Sequence, residues 1–166
     1  METVRHISSA ALIACLLAAC GSLAGYVKPG ETESAVLSRA GRPTASYPLS
    51  DGGKRLQYSG QPYNQSVWNI DVDPQGRVIR IEQMMSDEAF AHIRSGRDTS
   101  ADVLREFGPP AYVYAFPMKD ETAFMYRYFI QGGFYAAMFV YFDPKGVVTR
   151  TETGMDPWRI NDNDRH

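Results

Sequence analysis

The chain is poor in the residues that usually build reactive or metal sites. It has 166 residues with two cysteines and three histidines, the latter at His6, His92 and His166. Their spacing fits no metal site, and no Gly-x-Ser-x-Gly sequence of the hydrolase type occurs. The sequence therefore argues against an enzyme and predicts no cofactor. A net charge of −2 and a pI near 5.9 also argue against binding of nucleic acid, which needs a basic surface.

The N-terminal segment has the pattern of a secretory signal. Arg5 precedes an apolar run from Ala10 to Ala19 that ends in small residues. This run is too short to span a membrane. The sequence Leu17-Ala18-Ala19-Cys20 resembles the lipobox of bacterial lipoproteins, whose cysteine is acylated and becomes the N-terminus after cleavage. We therefore expect a signal peptide over 1–19 and a lipid on Cys20; the alternative is an ordinary signal peptide with a cysteine at its cleavage site.

Lipidation would leave the mature chain without a free cysteine. Cys15 leaves with the signal, so the mature chain has no partner with which Cys20 could form an intrachain disulfide. Several acyl chains together give stable attachment to a membrane. The lipoprotein resemblance further implies the outer membrane, because Gly21 rather than aspartate follows the cysteine. Removal of 19 residues leaves about 147, enough for one medium domain or two very small ones.

The rest of the sequence contains an internal duplication. Residues 35–43 match residues 102–110 at their Val-Leu, Gly and Pro positions, and 73–78 match 143–148 at Asp, Pro, Gly and Val. Because both matches keep their order and nearly the same offset, the sequence predicts two structural repeats. The predicted organisation is a linker over 20–27, repeats over 28–85 and 86–155, and a C-terminal tail over 156–166.

Each repeat is predicted to contain a helix followed by three strands. In the second repeat, Thr99 and Asp102 form the capping box of a helix that Gly108 ends. A shorter helix is expected from Asp87 to Ile93. Alternating apolar residues then indicate an antiparallel three-stranded sheet with one helix-covered face, an α+β fold. The residues expected on the buried faces are Leu56, Tyr58, Trp68, Ile70, Val72, Ile79 and Ile81, and Phe124, Tyr126, Tyr128, Met138, Val140 and Phe142.

Several residues of the second repeat form a pattern that resembles that of a known protein family. They are Gly96, Thr99, Val103, Gly108, Pro110, the strand 124–128, and 139–143 with Gly146. This set resembles the SmpA/OmlA family of outer-membrane lipoproteins, known as BamE; it covers residues 86–152 well and 28–82 weakly, and Phe124 stands where the family often has Trp. The resemblance implies a helix-on-sheet unit without catalytic activity. Two joined units resemble instead the β-lactamase inhibitor proteins.

One segment is similar to a calcium-binding loop. Asp71, Asp73, Gly76 and Glu82 follow the spacing of an EF-hand. Pro74 within the loop, glutamine at the fifth position and flanks that alternate like strands all argue against it. A β-turn explains Asp, Pro and Gly without a metal, so the sequence predicts no metal site.

The outward face of the second sheet is the candidate binding surface. Alternation places Met125 and the four proposed partner-binding residues on this face. These four are Arg127, Phe129, Phe139 and Tyr141. The equivalent face of the first repeat is polar, with Arg55, Gln57, Asn69 and Asp71. Exposed aromatic side chains with an arginine are typical of protein-binding surfaces, although packing between the two repeats would also explain them.

The sequence thus favours a non-catalytic, outer-membrane-anchored lipoprotein that faces the periplasm and binds protein. The resemblance suggests envelope proteins as partners, such as the β-barrel assembly machinery, and a role in outer-membrane assembly or envelope integrity. The alternative is an inhibitor module that binds a periplasmic or secreted enzyme.

Overall fold

A computed structural model describes residues 27–130 and 132–159 of the chain. The expected signal peptide over 1–19 and the expected lipidation site at Cys20 lie outside these residues. Within them, no helix is both long enough and apolar enough to cross a membrane.

The described residues form an α+β fold of short helices and two antiparallel sheets. The helices are α1 (Glu33–Ala40), α2 (Asp87–Phe90) and α3 (Ser100–Phe107). The strands are β1 (Ala45–Pro48), β2 (Lys54–Ser59), β3 (Val67–Val72), β4 (Val78–Gln83), β5 (Tyr112–Phe116), β6 (Glu121–Phe129), β7 (Tyr135–Phe142) and β8 (Val148–Met155). Sheet 1 has the order β1-β2-β3-β4, and sheet 2 has the order β5-β6-β7-β8.

Each sheet therefore has four strands, and the expectation of three is corrected. The additional strands are β1 and β5, the first of each sheet. β1 is only four residues long and ends in Pro48, which makes it a weak strand signal. β5 reads Tyr-Val-Tyr-Ala-Phe, so every position is apolar or aromatic and the alternation that marks a half-buried strand is missing.

The helix ends follow the capping rules. The Thr99 side chain accepts from the backbone N–H of Asp102, and the Asp102 carboxylate accepts from the backbone N–H of Thr99, which confirms the capping box. The helix ends at Gly108, whose φ is 72°. The helix expected from Asp87 to Ile93 ends earlier, at Phe90.

The predicted strand faces are confirmed at most positions. Leu56 lies opposite Ile70 in sheet 1, and Tyr126 lies opposite Met138 in sheet 2. The prediction for Ile79 is wrong, because this side chain is 50% exposed. A register shift between Asp71 and Val72 places Val78, rather than Ile79, opposite Val72. A β-bulge has this effect, because its extra residue moves the following side chains to the other face.

Equivalent backbone contacts recur in both halves, which is compatible with the predicted duplication. Gly30 N–H donates to the carbonyl of Val78, and Gly96 N–H donates to that of Val148, at 2.8 and 2.7 Å. The Tyr58 hydroxyl donates to the carbonyl of the glycine that ends α1. Likewise, the Tyr126 hydroxyl donates to the carbonyl of the glycine that ends α3. The register shift at Val72 in sheet 1 is matched in sheet 2, next to Phe142.

Each sheet packs one face against its own helix. The core of sheet 1 consists of Val27, Val36, Leu56, Ile70, Val72 and Val78. The core of sheet 2 is larger and richer in aromatics, with Phe90, Phe107, Tyr126 and Tyr128 among its members. Val67 of β3 belongs to this second core, so apolar contacts cross from one half of the chain to the other.

The segments after β3 and β7 form β-turns. A β-turn was the structure expected after β3 in place of a calcium-binding loop. Gly76 N–H and Gly146 N–H each donate to the carbonyl of an aspartate three residues earlier, at 2.9 Å. Both glycines have positive φ, 74° and 77°. A side chain at either position would strain the backbone.

We expect Gly146→Ala to lower the free energy of unfolding by about 1–2 kcal/mol, because alanine disfavours positive φ. A Cβ at this position would also lie 3.2 Å from the Ser100 hydroxyl. Gly76→Ala is the matched variant, since a Cβ there meets no atom within 4 Å. Urea denaturation should show the smaller loss for Gly76→Ala. Wild-type stability in both variants would contradict the assignment of these turns.

Candidate functional site

The outward face of sheet 1 is polar but buried. Gln57 is fully buried and Asn69 is 2% exposed. The amide group of Gln57 donates to the carbonyl of Arg105 at 3.0 Å, and that of Asn69 donates to the carbonyl of Glu106 at 2.8 Å. These carbonyls belong to the last turn of α3, where a helix has no backbone partners for them. Sheet 1 therefore binds the C-terminal end of the helix that covers sheet 2.

An ion-pair network holds the same contact. The Arg55 guanidinium lies 2.7 Å from the Asp71 carboxylate and 2.8 Å from the Glu106 carboxylate of α3. Burial alone would lower the pKa of Arg55, but its hydrogen bond to Asp71 and the charges of Glu106 and Asp71 raise the pKa above its ordinary value. The four polar residues of sheet 1 thus have a structural role between the two halves of the chain.

Arg127 also makes internal contacts, and the expectation that it lies on an open face is corrected. Its side chain is only 6% exposed, and its Nε lies 2.8 Å from the fully buried carboxylate of Asp156. Its Nη1 donates to the carbonyl of Pro62 at 2.5 Å, and its guanidinium stacks on the ring of Trp158. Arg127 therefore joins the β2–β3 loop of the first half to the segment after β8.

Phe139 and Tyr141 lie on the outward face of sheet 2, as predicted. The ring centroid of Phe139 lies 6.0 Å from that of Tyr114, and the centroid of Tyr141 lies 6.1 Å from that of Phe116. Tyr112 extends this row on β5, 4.8 Å from Tyr114. We call these five residues the aromatic face.

Small side chains lie beneath the aromatic face. Ala123 and Ala137 point to the same side of the sheet and are fully buried. A Cβ added to Gly154 would lie 3.3 Å from the ring of Phe139. The aromatic rings therefore share this face with buried small residues, and the ring of Phe139 lies close to β8.

Charged groups border the aromatic face at Tyr141. The guanidinium of Arg150 lies 3.6 Å from the ring centroid of Tyr141 and pairs with Glu121 and Glu152. The Tyr141 hydroxyl donates to Glu152 at 3.0 Å. Burial and this hydrogen bond raise the pKa of Tyr141, while hydrogen bonds from Arg150 and Tyr141 hold the pKa of Glu152 below its usual range. This network fixes the orientation of Tyr141.

Phe129 lies apart from the aromatic face, at the far end of β6. Its ring stacks near that of Tyr135, with centroids 4.6 Å apart, and it is 43% exposed. The Arg159 guanidinium lies 4.0 Å from the ring centroid of Tyr135. Of the four predicted residues, sheet 2 therefore brings Phe139 and Tyr141 together, places Phe129 at its end, and buries Arg127.

A cleft with a volume of about 820 Å³ lies between β4, α2 and α3. Several of the charged groups along its walls are engaged within the chain. Arg94 pairs with Asp98 at 2.5 Å, and Asp102 belongs to the capping box. Hydrogen bonds from Arg94 and Thr99 lower the pKa of the Asp98 and Asp102 carboxyls, respectively. Residues 27–130 and 132–159 hold no group of three or more His, Cys, Asp or Glu side chains that could bind a metal ion.

No family model and no curated protein matches the chain. A solved structure of YjgB, a DUF4309 family protein from Bacillus subtilis, matches 76% of this chain and 79% of that chain at 15% sequence identity. The TM-score of 0.31 is too low for this likeness to carry an argument about fold or function.

The three aromatic residues of β5 were not among the predicted partner-binding residues. Tyr112, Tyr114 and Phe116 recur every second position, the spacing that puts side chains on one face of a strand. That spacing is the signal that could have identified them. It is obscured because Val113 and Ala115 between them are apolar as well.

The internal role of Arg127 predicts a large effect on stability. We expect Arg127→Met to lower the free energy of unfolding by about 3–5 kcal/mol, because the buried carboxylate of Asp156 then has no counter-charge. Adding Asp156→Asn should recover part of this loss. Arg80→Met is the control, since Arg80 belongs to an exposed pair, and such pairs contribute about 1 kcal/mol or less.

Urea denaturation of the four proteins, including wild type, measures these differences. A loss below about 1 kcal/mol for Arg127→Met would contradict the internal role. Arg127 would then again be a candidate for partner binding.

Proposed function

We propose that this chain is a non-catalytic lipoprotein that binds another envelope protein through the aromatic face of sheet 2. The proposal places it on the outer membrane, attached through a lipid on Cys20 and facing the periplasm. The observation that carries it is the contrast between the two outward faces. Sheet 1 packs its polar face on α3, whereas the outward face of sheet 2 presents a row of aromatic rings from β5 and β7.

The chemistry of the aromatic face supports a protein partner. Tyr112 is 55% exposed, and Tyr114, Phe116, Phe139 and Tyr141 are half-buried. Aromatic rings held in place by neighbours lose little conformational entropy on binding and bury a large apolar area. The flanking carboxylates and Arg150 supply a polar rim, which is the usual anatomy of a protein interface.

The resemblance to BamE supports the proposed outer-membrane location and the helix-on-sheet architecture. It gives less support to a particular partner. The residues that carry it have structural roles in this chain: Thr99 caps α3, Gly108 ends it, and Gly146 forms a turn. A BamE-like packing of each unit and a partner in the β-barrel assembly machinery remain part of the proposal. An inhibitor of a periplasmic or secreted enzyme is the second candidate, favoured by the same aromatic face.

The lipid anchor is tested at Cys20. We expect Cys20→Ala to abolish labelling of the chain by radioactive palmitate and to release it from the membrane fraction, because the thiol is the acylation site. Cys15→Ala is the matched control and should be labelled as the wild type is. Undiminished labelling of Cys20→Ala would contradict the anchor.

Partner binding is tested with a photo-crosslinking amino acid at position 129, an exposed position on the same outward face of sheet 2 as the aromatic face, in full-length chain in its native cells. We expect one discrete adduct with another protein. Phe139→Ala with Tyr141→Ala should reduce its yield severely, since truncated anchor residues often lose 2 kcal/mol or more, about thirtyfold in affinity. Circular dichroism melts should change little, because these side chains lie outside the core.

The matched control carries the same probe at Ile79, an apolar side chain on sheet 1 that is 50% exposed. The same adduct from Ile79, or an adduct at 129 that persists in the double variant, would contradict docking on the aromatic face. If the adduct is an enzyme whose activity falls when the purified chain is added, the inhibitor function is the correct one.

A further inference from the structure

The two sheets have four outer edges, and one of them differs from the others. Edge strands expose unpaired backbone groups, and proteins usually protect them with charge, proline, bulges or short length. β1 is four residues long and contains Pro48, and β4 carries Arg80 and Glu82. β8 carries Arg150 and Glu152 and pairs with β7 through a register shift. β5 has none of these features within its five residues.

The edge of β5 is also accessible from both sides of the sheet. Tyr112 and Val113 point to opposite faces and are 55% and 52% exposed. β5 pairs with β6 on one side, and no described strand pairs with its other side. An uncharged, open edge of this kind accepts another extended strand through main-chain hydrogen bonds.

The sequence of β5 is symmetric about its centre, which identifies the strand that fits it. Antiparallel pairing of two copies about Tyr114 places Tyr112 opposite Phe116 of the other copy and Val113 opposite Ala115. Every aromatic residue then meets an aromatic residue on one face, and the small apolar residues meet on the other. Aromatic cross-strand pairs stabilise a sheet. A two-fold axis uses the same surface on both copies, the commonest arrangement of a dimer.

Neighbouring residues limit the length of this pairing and the number of copies. Pro110 and Pro117 flank β5 and have no N–H to donate, so the ladder is confined to the residues between them. After pairing, the open edges of the joined eight-stranded sheet are the two β8 strands, which charge and a bulge protect. The assembly therefore closes at two.

We propose that two copies of this chain pair antiparallel through β5, with Tyr114 on the two-fold axis, to form one continuous eight-stranded sheet. The pairing rests on β5 alone, and only its strength in the cell rests on the proposed membrane anchor. A contact of five residues per copy is small, so we expect a weak dimer in solution. Attachment of both copies to one membrane would raise their effective concentration and favour pairing. The dimer leaves both aromatic faces open and places them side by side.

Disulfide crosslinking in native membranes tests the register. Full-length Val113→Cys and full-length Ala115→Cys, carrying different tags, are produced together and oxidised. We expect a mixed disulfide, because opposed residues lie about 4.5–5.5 Å apart between Cα atoms, within disulfide range. Val113→Cys alone should not crosslink, because its two copies are offset by two residues and lie about 8 Å apart. The chain with only its native cysteines is the background control.

A second measurement needs no introduced cysteine. The mass of the full chain in mild detergent, measured over a range of concentrations, should show a monomer–dimer equilibrium. Val113→Lys with Ala115→Lys places lysines opposite each other and should raise the dissociation constant at least tenfold. Thr149→Lys with Thr151→Lys adds the same charge to the exposed positions of β8 and should leave the equilibrium unchanged.

Three results would overturn the proposal. The first is a Val113→Cys chain that crosslinks to itself as well as to Ala115→Cys, which would mean another register or random collision. The second is a crosslink from β5 to a different protein in place of the second copy. The third is a monomeric mass at every concentration together with no mixed disulfide.

Discussion

The structure depends on hydrogen bonds between buried polar side chains of sheet 1 and the last carbonyls of α3. Those carbonyls have no partner within the helix, and burying them without one would be destabilising. Gln57 and Asn69 satisfy them, while Arg55 bridges Asp71 of its own sheet and Glu106 of the helix. The helix that covers sheet 2 is therefore held at its end by sheet 1, and the two halves of the chain form one structure.

This arrangement uses the two outward faces differently. The face of sheet 1 is occupied within the chain, and its polar composition matches what it binds. The same face of sheet 2 carries aromatic residues together with the fully buried Ala123 and Ala137, and the ring of Phe139 lies close to Gly154. If the halves arose by duplication, one copy now uses a polar face for internal docking, and the other carries the aromatic face that we propose binds a partner. Arg127 belongs to the internal part, because it joins Pro62 to Asp156.

Much of the local structure could be predicted from sequence because it depends on local rules. The capping box at Thr99, the turns at Gly76 and Gly146, and the shared buried face of Leu56 and Ile70 all follow from residue types at fixed spacings. β5 could not be found by alternation, because all five of its residues are apolar or aromatic. Ile79 was assigned to the wrong face because a bulge near Val72 changes the register.

The segments that cover the outward face of each sheet could not be predicted. They depend on contacts between residues that are far apart in the sequence. Periodicity correctly placed Arg127 and Phe139 on the same face of sheet 2. It could not show that a loop from 60 to 66 and the segment after Met155 reach Arg127 while Phe139 stays open. Likewise, polar residues on sheet 1 indicated solvent until a helix end some 35 to 50 residues further along the chain was found to bind them.

We propose that the aromatic face is open in the chain alone and covered by a protein partner in the cell. Oxidative footprinting of side chains, compared between the purified full-length chain and the same chain in its native membrane, measures this most directly. The account predicts that Phe139 and Tyr141 are oxidised severalfold less in the membrane, while Ile79 on sheet 1 is oxidised equally in both. Equal oxidation of Phe139 and Tyr141 in the two samples would contradict it.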